Sequence, residues 1–386
     1  MTPARALTGS CVAAVVLTLA SCAKAPKLGD PLSGLTPDER ARFDRGREEF
    51  GREFTPETGL GPLFNSISCA ECHEEPVPGG TGDEVEVHVA AFREGGTCDP
   101  LIEKGGPVIQ QQATPALTAA LGLDKEPLPQ EATAPAGRSS PDVFGFGLLD
   151  AVPDATILAR ADPDDRDKDG ISGRPNRFFD GRVGRFGRKA LVPTLRDFND
   201  GAFVIEMGVT NPAVPTEETI GGEPIPDGVD PVAEPEIDQD AIDGADAFVR
   251  FLAPPSPLAL SAAAKRGRHL FSKIGCDACH VPTLKTGGRT SKALRNKEVH
   301  AYTDLLLHDM GTELADICLG LATPSEFRTE PLMGLRLSET FLHDGRAQTV
   351  EEAIRLHDGE ARASQERFGA LSEADREALV DFLESL

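Results

Sequence analysis

Two short segments, Cys69-Ala-Glu-Cys72-His73 and Cys276-Asp-Ala-Cys279-His280, decide which fold this chain of 386 residues can adopt. Each has the pattern C-x-x-C-H, in which two thiols bond to the vinyl groups of haem and the next histidine ligates the iron. A single copy would also fit a redox dithiol or half of a zinc site. Two copies favour c-type haem, so the sequence predicts two covalently bound haems with His73 and His280 as iron ligands.

The residues before the two segments are also repeated. Leu63-Phe-Asn-Ser-Ile67-Ser aligns without gaps on Leu270-Phe-Ser-Lys-Ile274-Gly, which indicates an internal duplication. A helix is predicted upstream of each copy. Thr36 and Glu39 form a capping box before the first copy, and Ser261 caps the run before the second.

A leading helix, a C-x-x-C-H segment and a closing helix are the parts of a cytochrome c-like unit. A closing helix is predicted after Ser372, with one apolar side formed by Leu379, Val380, Leu383 and Leu386. Because the chain has 39 Gly and 31 Pro, much of the remainder is expected to be loop. We predict a mainly α, loop-rich protein with two cytochrome c-like domains, at residues 35–150 and 255–386. The irregular middle segment, 151–254, is expected to complete the region between the haems.

The charge of the chain argues against a nucleic-acid partner. There are 39 Lys and Arg residues against 63 Asp and Glu residues, which gives a net charge of −24. Binding to the phosphate backbone of nucleic acid needs clustered positive charge. We therefore expect no nucleic-acid function.

The N-terminus predicts export. Residues 11–20 form an apolar run too short to span a bilayer, which is typical of a signal peptide, here residues 1–21. The sequence Leu19-Ala-Ser-Cys22 resembles a bacterial lipobox, so we expect Cys22 to be acylated and residues 22–34 to form a tether. An ordinary cleavage site followed by a chance cysteine is the alternative. The expected location is the periplasmic side of a bacterial membrane, held only by the lipid anchor. Ala23 in place of Asp favours the outer membrane.

Five further segments carry a family resemblance. They are residues 61–65 (GPLFN), 146–153 (FGLLDAVP), 164–176 (DDRDKDGISGRPN), 302–311 (YTDLLLHDMG) and 341–346 (FLHDGR). With them the chain resembles the dihaem oxidoreductases, a family also labelled thiol oxidoreductases and similar to bacterial dihaem cytochrome c peroxidases. The resemblance extends from about residue 35 to the C-terminus and implies a haem-dependent oxidoreductase.

The resemblance implies a distal ligand for the second haem. The similar peroxidases place a Met or Tyr ligand fourteen residues beyond the histidine of a Phe-x-His-x-Gly motif, and this offset from His343 reaches His357. His357 also ends the apolar stripe of a short predicted helix capped by Thr349. The alternatives are Met310 as ligand, or His357 as a core histidine bonded to backbone. Six-coordinate iron passes electrons, whereas an open iron can bind peroxide.

For the first haem, the resemblance points to a carboxylate. Residues 205–208 (IEMG) resemble the peroxidase stretch that brings a glutamate over the open face of the haem, which makes Glu206 the candidate general acid–base group. A surface acid is the alternative for Glu206. His88 could instead close this site, but its alternating setting, residues 84–89, favours a structural or surface histidine.

Two further features have open interpretations. Asp165, Asp167 and Asp169 alternate before Gly170 as in a calcium loop, although position twelve is Asn176 rather than Glu, so a solvated acidic turn is the alternative. Cys98 and Cys318 remain after the haem and lipid cysteines are assigned. In an oxidising compartment they could form a disulfide between the two units, or stay free and buried.

Two functions are therefore compatible with the sequence. The first is a peroxidase-like oxidoreductase in which the second haem feeds electrons to a reactive first haem. Its expected partners are a small redox protein or a quinol-derived donor, and a small substrate of the peroxide type. The second is a dihaem electron-transfer cytochrome without peroxidase activity. The chain has no Trp, whereas related enzymes use Trp between the haems or at the surface for electron transfer. This absence argues against long-range oxidation of a partner protein through Trp and leaves direct transfer between the haems as an open route.

Overall fold

The computed structural model describes residues 26–288 and 290–386. Helices make up 32% of the described residues and strands 12%, so helix is the predominant regular structure there, as predicted. Within these residues the α-helices are α1 (Pro37–Phe50), α2 (Cys69–Cys72), α3 (Pro115–Leu121), α4 (Phe146–Asp150), α5 (Asp154–Leu158), α6 (Leu195–Met207), α7 (Gln239–Phe251), α8 (Ala262–Lys273), α9 (Val350–Leu356), α10 (Arg362–Gly369) and α11 (Glu373–Leu383).

The strands are short and form small antiparallel sheets. The only three-stranded sheet in the described part of the chain has the order β5–β2–β7, and the other pairs are β1–β6, β3–β4, β8–β9 and β10–β11. The strands are β1 (Leu63–Phe64), β2 (Val85–His88), β3 (Ala91–Arg93), β4 (Thr97–Asp99), β5 (Val108–Ile109), β6 (Gln112–Ala113), β7 (Ala136–Ser139), β8 (Leu284–Lys285), β9 (Glu298–Val299), β10 (Leu307–Asp309) and β11 (Glu326–Arg328).

The helix that precedes the first C-x-x-C-H segment crosses α7 closely. The predicted capping box of Thr36 and Glu39 is present at the start of α1. At the crossing, a Cβ atom on Gly46 would lie 1.9 Å from the carbonyl oxygen of Gly244. Phe43 and Phe50 of α1 pack on Phe248 of α7, with ring centroids 5.2 and 4.8 Å apart. Gly46 therefore allows the backbones of α1 and α7 to approach closely, and the three phenylalanine rings pack beside the crossing.

The second segment has the same kind of helix crossing. Ser261 caps α8 and Ser372 caps α11, as predicted. A Cβ atom on Gly267 of α8 would lie 1.8 Å from the carbonyl oxygen of Ala378 in α11. The apolar side of α11 covers the core around Phe271 with Leu379, Val380 and Leu383, and Leu386, just beyond the end of the helix, packs in the same core.

Helix α7 packs across one of the predicted domain boundaries. The predicted boundary at residue 150 assigns α1 to the first unit and α7 to the middle segment, yet these two helices pack together. A large hydrophobic cluster also joins residues of all three predicted parts, among them Phe43, Leu149, Phe248 and Leu305. The first helical pair is thus assembled from distant stretches of sequence, which a linear division of the chain does not capture.

Part of the predicted tether is folded against the body of the protein. The backbone N–H of Leu32 donates to the Phe251 carbonyl at 2.8 Å, and that of Ala253 donates to the Asp30 carbonyl at 3.0 Å. The predicted signal peptide and Cys22 lie outside the described residues. None of the helices that the structure describes is both long enough and apolar enough to cross a membrane.

Candidate haem sites and the region between them

The second C-x-x-C-H segment follows helix α8 almost directly. The helix ends at Lys273, and Gly275, with φ of 94°, turns the chain into a 3₁₀ turn over Cys276–Ala278. A positive φ is accessible to glycine at little cost, so this turn needs Gly275. His280 follows, and its Nδ1 lies 3.0 Å from the carbonyl oxygen of Tyr302. That bond orients the ring and leaves Nε2 as the nitrogen available to a metal.

His357 faces His280 from the end of helix α9. Thr349 and Glu352 form the predicted capping box of this helix, and His357 is its C-terminal cap. The Nδ1 of His357 lies 2.7 Å from the Ala353 carbonyl, and the two imidazole centroids are 6.4 Å apart. A nitrogen ligates a metal at about 2 Å with its ring centroid roughly 1 Å behind, so rings on opposite faces of one iron have centroids about 6 Å apart. The spacing of the two rings therefore fits a haem iron between them.

A cavity of about 720 Å³ surrounds these two histidines. Such a volume is within the range of cofactor pockets. Cys276, Cys279, His280 and His357 all line it, and Met310, the alternative ligand, lines it too. Because thiols, imidazoles and an apolar wall converge here, the residues fit the c-type haem that the sequence predicts.

The ionisation of these groups also argues against a redox dithiol. Burial raises the pKa of Cys276, Cys69 and Cys72 to about 12 each. A reactive C-x-x-C dithiol instead needs a lowered thiol pKa, because the thiolate is the nucleophile. Burial, together with the nearby His357, lowers the pKa of His280 to about 4, which keeps its imidazole neutral and able to ligate.

The first C-x-x-C-H segment consists of the short helix α2 and the histidine that follows it. Ser68 caps the short helix α2, and the Nδ1 of His73 lies 3.2 Å from the Gly80 carbonyl. The ring of His73 packs near Phe50, with centroids 6.1 Å apart. Among the described residues, no histidine ring faces His73 as His357 faces His280. The two predicted haem sites therefore differ on their distal sides.

Glu206 lies beside the thiols of the first segment. It is near the end of helix α6, and its Oε2 accepts a hydrogen bond from Nδ2 of Asn65 at 3.0 Å. The backbone N–H groups of Asn65 and Ser66 donate to the Glu206 carbonyl. Burial and the charge of Glu86 raise the pKa of Glu206 well above its ordinary value, so its carboxyl is protonated over a wider pH range. Asn65, within the GPLFN segment, orients the carboxyl, a role that sequence reasoning did not assign.

His88 is engaged with a carboxylate. Its Nε2 lies 2.9 Å from Oε2 of Glu86, and both residues point to the same face of strand β2. His88 is the buried end of that strand, and burial lowers its pKa. The predicted strand is present, and His88 has a structural partner there. The two-residue spacing of Glu86 and His88 was the sequence signal for this pair.

A buried ionic cluster lies between the two predicted units. Asp316 pairs with Arg138 at 2.6 Å and with Lys189 at 2.7 Å. Lys189 is fully buried, and its Nζ lies 3.5 Å from the ring centroid of Phe327. Phe327 in turn packs on His343, with centroids 4.4 Å apart. Since Arg138 and Lys189 each lie more than a hundred residues from Asp316 in sequence, no local sequence pattern predicts the cluster.

The disulfide between Cys98 and Cys318 lies beside this ionic cluster, two residues from Asp316. It joins residues separated by 220 positions and so crosslinks the two predicted units.

Asp165, Asp167 and Asp169 converge, with their oxygens within 4.8 Å of one another. A second such group consists of Glu217, Asp230, Glu234 and Glu236, which sequence analysis did not identify.

Comparison with known proteins defines the class. The sequence matches the profile of the family described as "Di-haem oxidoreductase, putative peroxidase" over residues 125–386. The chain therefore belongs to the dihaem oxidoreductase family, which confirms the resemblance seen in the sequence. Membership of this family implies two haem cofactors.

One curated relative is the methylamine utilization protein MauG of Methylorubrum extorquens, which is 31% identical over 142 residues. That match covers 33% of this chain and 35% of MauG, so the chain spans about a third of the length of its relative.

Three solved structures are also similar. Hydrazine synthase of Kuenenia stuttgartiensis has a TM-score of 0.44 at 15% identity, covering 98% of this chain and 100% of that one. A MauG-like protein associated with microbial copper homeostasis has a TM-score of 0.41 at 16% identity, covering 94% of this chain and 93% of that one. The dihaem peroxidase BthA of Burkholderia thailandensis has a TM-score of 0.38 at 16% identity, covering 91% of this chain and 86% of that one.

Proposed function

We propose that this protein is an exported, dihaem c-type oxidoreductase of the peroxidase type. One haem would be bound by Cys69, Cys72 and His73 and would meet a small substrate of the peroxide type. The other would be held by Cys276, Cys279, His280 and His357, and would supply electrons to the first. A small redox protein or a quinol-derived donor is the proposed source of those electrons.

The observation that carries the proposal is the difference between the distal sides of the two sites. At the second site, His357 lies 6.4 Å from His280, with both Nδ1 atoms bonded to backbone carbonyls. At the first, the groups near the thiols and His73 include the carboxylates of Glu86 and Glu206. A closed iron suits electron relay and an open one suits reaction, so the asymmetry supports this division of roles.

Glu206 is the proposed acid–base group. When bound, the first haem would supply the redox chemistry. The chain itself supplies a buried carboxyl, and Asn65 fixes its orientation through a 3.0 Å hydrogen bond to Oε2. Because burial favours the protonated form, Glu206 can hold a proton close to the thiols and transfer it between the two oxygens of a peroxide. This transfer is general acid–base catalysis.

Export and calcium are further parts of the proposal. Acylation of Cys22 would hold the protein on the periplasmic side, at the outer membrane. Changing Cys22 to Ala should then release the protein into the soluble fraction, and a variant that stays with the membrane would contradict the anchor.

We also propose calcium at Asp165, Asp167 and Asp169, because hard cations prefer converging carboxylates.

Optical titration of the purified protein with cyanide and with peroxide tests the proposed roles. We expect one haem, in the ferric or the half-reduced protein, to change its spectrum at once on addition of either ligand. The other haem should stay low-spin throughout. If both haems remain low-spin and unreactive in every redox state, the protein is the electron-transfer cytochrome instead.

A further inference from the structure

A buried histidine, His308, is held between two carboxylates next to the second site. It lies in strand β10 and is 4% exposed. Its Nε2 is 2.9 Å from Oδ2 of Asp304, and its Nδ1 is 2.7 Å from Oε2 of Glu360. A neutral imidazole carries one N–H, so it can donate to only one carboxylate. When both carboxylates are ionised, the two hydrogen bonds can form together only if the imidazole is doubly protonated.

The direction of the His308 pKa agrees with this geometry. Burial opposes the charged form, but the hydrogen bonds to Asp304, Cys279 and Glu360 raise the pKa of His308 well above its ordinary value. The two carboxylates on either side of the ring therefore favour the charged imidazole in the folded protein. We call His308, Asp304 and Glu360 the imidazolium clamp.

The clamp touches the cysteine that the second haem would use. The Nδ1 of His308 lies 3.7 Å from Sγ of Cys279. At the first site, the groups that act most strongly on Cys72 are the Ser66 hydroxyl and the acidic side chains of Glu84, Glu86 and Glu206. Cys279 thus has a basic neighbour beside its acidic ones, whereas the charges that act most strongly on Cys72 are all acidic.

The clamp is also rigid. Glu360 accepts hydrogen bonds from Oγ of Ser172 at 2.6 Å and from its N–H at 3.1 Å. Asp304 accepts from the N–H of Leu306 at 2.9 Å. On the other side of the ring, a Cβ atom on Gly173 would lie only 3.0 Å from Cε1 of His308. The imidazolium is therefore a fixed charge that cannot swing away when the charge of its surroundings changes.

We propose that the clamp sets the reduction potential of the second haem, with His308 raising it and the two carboxylates lowering it. A fixed positive charge favours the reduced haem, and a negative charge favours the oxidised one, most strongly in a low-dielectric interior. The inference rests on the proposed attachment of that haem to Cys276 and Cys279. His308 is a positioning residue that acts through its charge, because it contacts a cysteine sulfur and not substrate.

Spectroelectrochemical titration of the intact holoprotein tests the proposal. The midpoint of the second haem is identified as the one absent from a Cys276→Ser/Cys279→Ser variant. We expect this midpoint to shift downward in His308→Gln, which removes a positive charge. It should shift upward in Glu360→Gln, in which Asp304 still holds the imidazolium. The midpoint of the first haem should stay unchanged in both variants.

His300→Gln is the matched control, because His300 is an exposed histidine of the same unit, bonded to Oγ1 of Thr283 at 2.9 Å. It should move neither midpoint. If His308→Gln fails to load haem, the sign of the shift in Glu360→Gln alone decides, with an upward shift supporting the clamp.

The failures of the two proposals look different. A mature mass with fewer than two haems would overturn the proposed attachment and this inference with it. Two haems with an unmoved second midpoint would overturn the inference alone. A shift in the same direction in His308→Gln and Glu360→Gln would also overturn it, because such a result indicates loosened packing in place of a charge effect.

Discussion

The two C-x-x-C-H regions share their sequence pattern but not their local structure. Leu63 and Phe64 form strand β1, which pairs with β6, whereas the aligned Leu270 and Phe271 lie in helix α8. The alanine-rich start of α8 favours a helix that runs nearly to Cys276, while Gly59, Gly61 and Pro62 prevent one before the first copy. The repeated pattern therefore specifies the attachment chemistry, and the flanking residues decide the backbone.

The regions differ again in what faces them. An imidazole on helix α9 lies across from His280, and an imidazolium touches Cys279. Near Cys69 and Cys72, the charged groups are carboxylates. Since the surroundings of a haem tune its ligation and potential, a duplicated segment can serve two different functions in one chain.

The largest expected effect tests what the two regions have in common. Replacing both cysteines of either segment by serine, in Cys69→Ser/Cys72→Ser or Cys276→Ser/Cys279→Ser, should remove one haem. The mature mass should fall by one haem, and the haem absorbance should drop to about half. A variant of either pair that keeps two covalent haems would show that the segment is not an attachment site.

The next effect tests the difference on the distal side. His357→Gly should convert the second haem from low-spin to high-spin, because the iron loses an axial nitrogen. Absorption and electron paramagnetic resonance spectra of the ferric protein measure the change. Met310→Ala is the control and should leave the spectra as they are. If Met310→Ala produces the high-spin signal and His357→Gly does not, the thioether of Met310 is the ligand. The close spacing of the His280 and His357 rings then does not reflect ligation of the iron.

A smaller effect is expected from Glu206→Gln, which should slow the reaction with peroxide by about 10²–10⁴-fold, the usual contribution of a general acid–base group. Both haem spectra should stay unchanged, because Gln keeps the shape of the side chain and its contact with Asn65. The rate is measured by stopped-flow mixing. Glu53→Gln, at an exposed acid, is the control. An unchanged rate in Glu206→Gln would remove the proposed difference in chemistry between the two regions.

Local patterns predicted much of the fold. The capping boxes of Thr36 and Thr349 and the caps of Ser261 and Ser372 start helices where expected, because these signals act within four residues. The pairing of α1 with α7 was not predicted. It brings together Gly46 and Gly244, almost two hundred residues apart, and no periodicity in the sequence records such a contact.

The candidate sites show the same limit. The C-x-x-C-H segments and His357 could be named because their spacing is short or known from similar proteins. The clamp of His308 and the cluster of Asp316 could not, since each includes groups from segments far apart in the sequence. Their members are ordinary charged residues in a chain with 63 acids. Only burial distinguishes them.

The smallest effect tests the architecture that the two regions share. Gly46→Ala and Gly267→Ala should each lower the free energy of unfolding by about 1–3 kcal/mol, because the added methyl group meets the backbone of the partner helix, which cannot yield easily. Thermal unfolding of the holoprotein measures both. Gly369→Ala, in helix α10, is the control, since its Cβ atom would meet nothing within 4 Å, and it should be neutral or slightly stabilising. Equal losses at Gly46 and Gly267 would mean that both units depend on the same close helix crossing. A loss at Gly267 alone would confine the cytochrome c-like crossing to the second unit, and the first would then owe its stability to the hydrophobic cluster around Phe248.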